Sequence, residues 1–254
     1  MPPSSDPFSL AGKRILVTGA SSGIGQQTAI ACADMGAQLL ITGRNPERLT
    51  ETLRLLAGDE HQSIAADLTC AEDLVSLATQ AGPLHGIVHA AGISKLVPLR
   101  MLRQAHLDDM FSHNTYAPIL LTKELLAKRQ IQPNGSIVFI SALASHTGPM
   151  ASAAYAASKG ALLGAMRVLG RETVKYGIRA NCIVPGYVRT PLLDGLGQNG
   201  GNMEELMHMA PLGLGVPEDI AHAAIFFLSP ASRWVTRNYF IIDGGLMVPA
   251  DIYA

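Results

Sequence analysis

The stretch Thr18-Gly-Ala-Ser-Ser-Gly-Ile-Gly25 decides how the rest of the chain is interpreted. It follows a short apolar run, Arg14–Thr18, that has the composition of a buried strand. It also opens a helical pattern over Gly23–Met35, which Gly36 closes. A strand, a glycine-rich turn and a helix in this order predict the start of a βαβ unit.

The same alternation of short apolar runs and helical patterns continues along the chain. Near-continuous apolar strands separated by helices are typical of a parallel sheet covered on both faces, with ligands bound at the carboxyl ends of its strands. We therefore predict an α/β, Rossmann-like, doubly wound parallel seven-stranded sheet with helices on both faces. The predicted strands are Arg14–Thr18, Gln38–Thr42, Ser63–Ala66, Gly86–Ala90, Ser136–Ser141, Ile178–Val184 and Tyr239–Ile242.

Composition limits the organisation and the partners of the chain. With 254 residues, 48% of them hydrophobic, it is long enough for one well-filled domain. We expect a flexible arm over residues 1–10, a single dinucleotide-binding and catalytic domain over 11–254, and a substrate lid at about 191–214. The formal net charge of -1 gives no electrostatic reason to expect a nucleic acid or a membrane as partner.

The three cysteines, Cys32, Cys70 and Cys182, are odd in number and lie in apolar segments, which argues against a disulfide framework. No apolar run reaches the roughly 18 residues of a membrane helix, and the first ten residues do not have the pattern of a secretory signal. We expect a cytoplasmic protein. The histidines and cysteines lack the spacing of a metal site, so none is predicted.

The glycine turn itself predicts a binding site for a dinucleotide. Glycine at positions 19, 23 and 25 lets backbone amides approach a pyrophosphate at the helix N-terminus, and Ser21 and Ser22 add polar groups there. The alternative is a tight turn without a ligand. At the end of the second strand stand Gly43 and Arg44 instead of a carboxylate, which favours NADP(H), with NAD(H) possible.

Tyr155-Ala-Ala-Ser-Lys159 predicts the reacting groups. Positions four apart share one helix face, so the Tyr155 hydroxyl and the Lys159 ammonium can enter the same cleft. A phenol is poorly ionised at neutral pH, and a neighbouring cation would bring its pKa nearer the working range. Tyr155 is therefore the predicted acid/base and Lys159 the group that tunes it.

Further matches in the same order extend over almost the whole chain. Besides TGxxxGxG and YxxxK, they are Asp67, Ala90-Ala91-Gly92, Asn114, Pro185-Gly186 and Asp243-Gly244-Gly245. In these positions, from about Gly12 to Val248, the chain resembles the short-chain dehydrogenase/reductase family of the classical type. The resemblance implies hydride transfer between a nicotinamide cofactor and a ketone or secondary alcohol, in a homotetramer or homodimer.

The resemblance also implies roles for individual residues. Lys159 would bind the nicotinamide ribose, and Asn114 would hold a water linked to Lys159, unless it only hydrogen-bonds the backbone and bends its helix. The cofactor-binding residues implied are Gly19, Ser21, Ser22, Gly23, Ile24, Gly25, Gly43, Arg44, Asp67, Leu68, Ala91, Gly92, Tyr155, Lys159, Pro185, Gly186, Val188 and Thr190.

One position departs from the family pattern. Where relatives place a substrate-orienting serine this chain has Ala142, so Ser141 is the candidate fourth catalytic residue, provided that the backbone turns or bulges there. Ser145 and His146 are weaker candidates. If no other group replaces the hydroxyl, Ala142→Ser should raise turnover. The departure also leaves open a cofactor-binding protein with weak or no catalysis.

The substrate is less well defined by sequence. Look-alikes are 3-oxoacyl-carrier-protein reductases and reductases of surface-sugar pathways. The lid segment holds Gly195, Gly197, Gly200, Gly201, Met203, Met207 and Met209, and a short amphipathic helix packed on the body is the alternative. Two further departures are His89, expected to be structural, and Arg237, expected to alter a subunit contact.

Overall fold

A computed structural model describes residues 6–198 and 210–247 of the chain. Its centre is a seven-stranded sheet of order β3-β2-β1-β4-β5-β6-β7, in which every pairing is parallel. The predicted doubly wound fold is thereby confirmed. The strands are β1 (Arg14–Thr18), β2 (Gln38–Gly43), β3 (Gln62–Ala65), β4 (Leu84–His89), β5 (Ile131–Ile140), β6 (Arg179–Pro185) and β7 (Tyr239–Ile242).

Helices connect successive strands and cover both faces of the sheet. They are α1 (Gly23–Asp34), α2 (Pro46–Leu55), α3 (Ala71–Gln80), α4 (Gln104–Phe111), α5 (Ala117–Ala127), α6 (Ala144–Thr147), α7 (Ala153–Thr173), α8 (Pro191–Gln198) and α9 (Pro217–Leu228). A π-helical turn, Ser112–Tyr116, joins α4 to α5. Short 3-10 turns lie at Leu99–Met101, Val174–Tyr176 and Pro230–Ser232.

Side chains that alternate along each strand divide the core into two layers. On β1, Ile15 and Val17 face one layer, which α1 and α9 cover, while Leu16 faces the other, covered by α3, α5 and α7. This period of two, with apolar residues on both faces, is what a sheet buried on both sides requires. All three of these side chains are fully buried.

The order of the strands reverses beside β1, which lies between β2 and β4. In open parallel sheets the loops that follow two such strands leave in opposite directions, and a crevice opens between them. The glycine turn follows β1, and Ala90-Ala91-Gly92 follows β4, so both border this crevice.

Several predicted boundaries need correction. β5 begins at Ile131, five residues before the predicted start at Ser136, and a register shift against β4 accompanies the irregular segment that contains Asn134 (φ 63°). The pattern of alternation fails where the backbone turns, so sequence periodicity could not locate that start. Smaller differences, of one or two residues, affect starts or ends of the second, third, fourth and sixth strands, the end of the fifth strand and the end of α1.

The predicted arm over residues 1–10 is also corrected. Residues 1–5 lie outside the described residues, but Leu10 is fully buried in the core, and its amide donates to Met35 O at 2.9 Å. Pro7 O accepts from the amide of Ala231. The packed body therefore begins before residue 11, because an apolar side chain in this segment completes the α1–α9 layer.

His89, at the end of β4, is a buried member of the core. Its ring stacks on Phe139 with centroids 4.8 Å apart, and its Nε2 lies 2.8 Å from Thr122 Oγ1. The Thr122 hydroxyl donates its own proton to Pro118 O, so His89 Nε2 must carry the proton in this bond. His89 Nδ1 then has no partner within residues 6–198 and 210–247.

Burial lowers the pKa of His89 from 6.5 to about 3, so folding requires the neutral ring. Between these two values the unfolded chain binds a proton that the folded chain does not, and stability falls as pH falls from about 6.5 to about 3. We expect this group to contribute a slope of up to about 1.4 kcal/mol per pH unit. Urea unfolding of wild type and His89→Asn at pH 7 and pH 5 measures it: the variant should lose less stability on acidification, and equal losses would contradict the assignment.

Candidate active site

Tyr155 and Lys159 lie one turn apart on α7 and line the same cavity of about 150 Å³. Their shared face is the one that the YxxxK spacing predicts. Lys159 is buried, and its Nζ donates to Ile140 O, at the end of β5, at 2.9 Å. This bond joins α7 to the end of β5 and holds the lysine amine next to the cavity that Tyr155 also lines.

Burial shifts the pKa values of these two groups in opposite directions, and both shifts disfavour the charged form. It raises the pKa of Tyr155 to about 12 and lowers the pKa of Lys159 to about 8. Desolvation by burial is the cause of the tyrosine's shift, so the fall in its pKa that a neighbouring ammonium was expected to cause is not observed in the protein alone. Tyr155 therefore holds its proton at neutral pH, which is the state a proton donor needs.

Asn114 lies in the π-helical turn and is buried. Its Oδ1 accepts from the amide of Ile93 at 2.9 Å, and its Nδ2 donates to Ile93 O and to Ser158 Oγ, each at 3.0 Å. Ser158 Oγ in turn donates to Tyr155 O. Asn114 lines neither of the cavities at the site, and its amide groups bind the loop after β4 to the helix that carries Tyr155 and Lys159. The predicted water between Asn114 and Lys159 stays a prediction.

Ser141 does not meet the condition set for it. Parallel pairing continues past β5, because the amides of Ser141 and Leu143 donate to Ile183 O and Pro185 O, so no bulge reverses the side chains. Ser141 lines the cavity, but its hydroxyl donates to Lys159 O at 2.9 Å. Ala142 lines the cavity with a methyl group only.

The other two candidate donors lie away from the cavity. Ser145 Oγ donates to Ala142 O at 2.7 Å and lies 3.0 Å from His146 Nδ1. Neither residue lines the cavity, whereas Thr147, which sequence reasoning missed, does. Thr147 follows them within α6 and carries no motif that distinguishes it.

A second cavity, of about 290 Å³, adjoins the first and is lined by the glycine turn. A Cβ atom on Gly19 would lie 2.7 Å from the Ala91 backbone, and one on Gly25 would overlap the Gly19 carbonyl oxygen. No side chain caps the N-terminus of α1, so the amides of its first turn face this groove without an internal acceptor from a cap. Close-packed glycines and uncapped amides fit the pyrophosphate of a dinucleotide.

The far end of the groove is lined by Arg44, Arg48 and Asp67. Asp67 Oδ1 accepts from both the amide and the hydroxyl of Thr69, and these bonds, more than the nearby Arg44 and His113, lower the pKa of its carboxyl. Arg48 was missed from sequence. It lies in the first turn of α2, which Asn45 caps by accepting from the Arg48 amide at 2.7 Å.

All the predicted cofactor residues line one of the two cavities. The groove contains the glycine-turn residues together with Gly43, Arg44, Asp67, Leu68, Ala91, Gly92 and Thr190, and the smaller cavity contains Tyr155, Lys159, Pro185, Gly186 and Val188. Lining residues that sequence reasoning missed include Ile93, Ser94, Tyr187, Arg48, Thr69 and His113. None of these residues belongs to a motif that the sequence displays, so only the fold identifies them.

The predicted lid is described only in part. Its first residues form α8, in which Leu192 borders both cavities and Leu193 is buried against the smaller one. This agrees with the helical alternative for residues 191–198. Gly200, Gly201, Met203, Met207 and Met209 lie outside the described residues.

Comparison with known proteins gives consistent matches over nearly the full chain. A family model described as enoyl-(acyl carrier protein) reductase matches residues 19–247. A 3-oxoacyl-(acyl-carrier-protein) reductase of Rickettsia conorii is 30% identical over 94% of this chain and 98% of its own. A gluconate 5-dehydrogenase of Gluconobacter oxydans is 30% identical over 96% of this chain and 98% of its own.

Solved structures match at the same level. A short-chain dehydrogenase/reductase from Brucella melitensis, also described as a glucose/ribitol dehydrogenase, has a TM-score of 0.89 and 30% identity over 96% of this chain and 100% of its own. A structure from Beutenbergia cavernae, provisionally described as an NAD(P)-dependent gluconate 5-dehydrogenase with NADP bound at low occupancy, has a TM-score of 0.88 and 31% identity, covering 96% of this chain and 100% of its own.

The closeness of Gly25 to Gly19 predicts that Gly25→Ala weakens cofactor binding. The added methyl group would force the backbone of the turn apart, and we expect NADPH affinity to fall more than about tenfold, or about 1.4 kcal/mol. Gly164→Ala is the matched control, because nothing lies within 4 Å of a Cβ atom there and α7 should gain roughly 0.5–1 kcal/mol. Fluorescence titration with NADPH measures both, and equal affinities would contradict the role of the turn.

Proposed function

The chain belongs to the short-chain dehydrogenase/reductase family, and we propose that it acts as an NAD(P)-dependent oxidoreductase on a ketone or secondary alcohol with Tyr155 as the proton donor. One observation supports the assignment of the reacting group above all others. The cavity that holds Tyr155 and Lys159 opens on the glycine-lined groove, and the two share Ile24, Ala90, Gly92, Ile93, Thr190 and Leu192.

The bound nicotinamide would supply or accept the hydride at the carbonyl carbon. As negative charge develops on the carbonyl oxygen, a proton must reach it, and Tyr155 holds one because its pKa is about 12. Lys159 supports the phenolate that remains, since it is the only cationic side chain among the described residues of this cavity. Asn114 keeps the loop and helix of the site together. The reverse reaction uses the same groups in the opposite direction.

The lining of the cavity favours an apolar ketone over a sugar acid as the substrate. Ile93, Ala142, Leu143, Pro149 and Leu193 supply much of its surface. Among the described residues it has no arginine, and the amine of its only lysine is already hydrogen-bonded to a backbone carbonyl. A gluconate carboxylate would lose its hydration there without a partner. We therefore favour a 3-oxoacyl substrate and keep surface-sugar keto compounds as the alternative.

We propose NADP(H) as the preferred cofactor, with NAD(H) as the alternative. Arg44, which follows β2, and Arg48, in the first turn of α2, are exposed residues at the mouth of the groove, where a 2′-phosphate on the adenosine ribose would lie. Two guanidinium groups can bind a phosphate through several charge-assisted hydrogen bonds. Asp67 Oδ1 already accepts two hydrogen bonds from Thr69, and we assign the discrimination between the two cofactors to the arginines.

Ala142 supports a second function, a cofactor-binding protein with weak or no catalysis. The methyl group at 142 leaves the usual substrate-orienting hydroxyl absent from its position. Both functions require the groove, so cofactor binding alone does not distinguish them. Turnover that is lost when Tyr155 is replaced would distinguish the oxidoreductase from the cofactor-binding protein.

The remaining expectations on assembly, lid and location are also proposals. Exposed apolar side chains on α5 and α7, such as Leu120 (46% exposed) and Val168 (58%), support association of these helices in a homotetramer or homodimer. The position of Leu192 at both cavities supports a lid over 191–214.

None of the helices that the structure describes combines the length and the apolar composition of a membrane span. The unpaired Cys32, Cys70 and Cys182 support a cytoplasmic location.

Tyr155→Phe tests the proposed function. Removing the phenolic oxygen should lower kcat by about 10²–10⁴-fold, because the proton donor is lost, while NADPH still binds. NADPH absorbance is followed with small ketones, a 3-oxoacyl thioester and a keto sugar acid, and the thioester should react fastest. If the wild type binds NADPH but is as inactive as Tyr155→Phe on all of these substrates, the cofactor-binding alternative is favoured.

Arg44→Gln tests the cofactor preference. Loss of one charge-assisted contact should weaken NADPH binding by about ten- to a hundredfold, or 1.5–3 kcal/mol, and leave NADH binding nearly unchanged. Arg54→Gln, in the last turn of α2 and not part of the groove's lining, is the matched control. Parallel losses for both cofactors would argue that Arg44 does not contact the 2′-phosphate.

A further inference from the structure

Three of the six hydroxyl-bearing residues that line the small cavity already have partners for their hydroxyl groups. Thr147 Oγ1 donates to Leu143 O, Thr190 Oγ1 donates to Val188 O, and Ser141 Oγ donates to Lys159 O. Each of these hydroxyl groups donates its proton to a backbone carbonyl, so none of the three can donate to a substrate without breaking that hydrogen bond. Besides Tyr155, the lining hydroxyls left without a partner in the described part of the chain are those of Ser94 and Tyr187.

Ser94 is the unusual member of this pair because its Oγ is also buried. A buried hydroxyl without a hydrogen bond costs about 1–3 kcal/mol, and such groups in folded proteins need an explanation. The torsion about Cα–Cβ places the serine oxygen, and rotation about that bond can turn the hydroxyl into the cavity that the residue lines. A bound acceptor would then supply the partner that the protein alone does not.

The loop that carries Ser94 is held rigidly on both sides. Both backbone groups of Ile93 are hydrogen-bonded to the side-chain amide of Asn114. Lys95 Nζ lies 2.6 Å from Asp109 Oδ2, and the Val97 amide donates to Ala151 O at 2.7 Å. Because Asn114 also donates to Ser158, the position of the loop is fixed relative to α7, the helix that carries Tyr155 and Lys159. The backbone that carries Ser94 is therefore in place before the substrate arrives, and only the side-chain torsion has to change.

We propose that Ser94 donates the second hydrogen bond to the substrate's carbonyl oxygen and so replaces the hydroxyl that is absent at Ala142. This inference rests on the proposed function and adds one substrate-binding group to it. Tyr155 delivers the proton to the oxygen, and Ser94 orients the same oxygen from the loop after β4. Two donors on one oxygen is the arrangement that developing negative charge requires.

Tyr187 is the competing donor and is distinguished by its position. Its backbone carbonyl accepts from the Gly215 amide, and the residue lines the neighbouring cavity beside β7 and α9 as well as this one. Tyr187 thus lines two of these cavities, whereas Ser94 lines only this one of them and lies on the loop that Asn114 holds. Tyr187→Phe therefore serves as the comparison for Ser94→Ala.

Ser94→Ala gives opposite results for activity and stability if the proposal holds. The kcat/KM for the best ketone should fall about ten- to a hundredfold, mainly in kcat, since the bond strengthens as charge develops. The melting temperature should stay unchanged or rise, because an unsatisfied buried hydroxyl has been removed. Ser145→Ala, which removes a hydroxyl that lies outside the cavity lining and donates to Ala142 O, should change kcat/KM less than about threefold.

Rescue completes the test. Ala142→Ser should restore most of the rate lost in Ser94→Ala but raise the wild-type rate only slightly, because the donor is redundant there. Ser94→Thr, which keeps a hydroxyl, should retain activity. A wild type that turns over ketones while Ser94→Ala does so equally well, or a loss confined to Tyr187→Phe, would overturn this inference alone. A wild type that is inactive on all ketones would instead overturn the proposed function.

Discussion

Hydrogen bonds from one buried amide, Asn114, join the pieces of chain that form the site. Ile93 belongs to the loop after β4, Ser158 to α7, and Asn114 itself to a π-helical turn between α4 and α5. A π-helical turn adds a residue to the helix, and such turns occur often at functional sites. Three directional bonds fix the distance between the loop and the helix more strictly than apolar packing would.

Burial then determines how protons are held inside the frame that Asn114 provides. Desolvation raises the pKa of Tyr155 and lowers the pKa of Lys159, because burial disfavours the charged form of each group. A protonated phenol is ready to serve ketone reduction, whereas alcohol oxidation would first require the phenolate. The protein alone is thus set for donation, and any positive charge bound beside Tyr155 would shift this balance toward the phenolate.

Local patterns predicted the parts of the site whose geometry is local. The Gly19 to Gly25 turn and the Tyr155–Lys159 face depend only on spacing within one strand-turn-helix unit or one helix, so sequence was sufficient. The role of Ser141 depends on a contact with Lys159 O eighteen residues away, and the absence of a bulge there leaves no trace in composition. The burial of Leu10 likewise depends on Met35 and the α1–α9 layer, which a chain-end pattern does not reveal.

The parallel topology explains why different positions in the sequence can supply the same functional group to one site. The loops after β1, β4, β5 and β6 all leave the same edge of the sheet, so a cavity at that edge is open to side chains from each of them. A hydroxyl absent after β5, at Ala142, can therefore be supplied after β4, by Ser94, while the fold stays unchanged. What the chemistry constrains is the point in space that the donor reaches, and a motif records only the commonest way of reaching it.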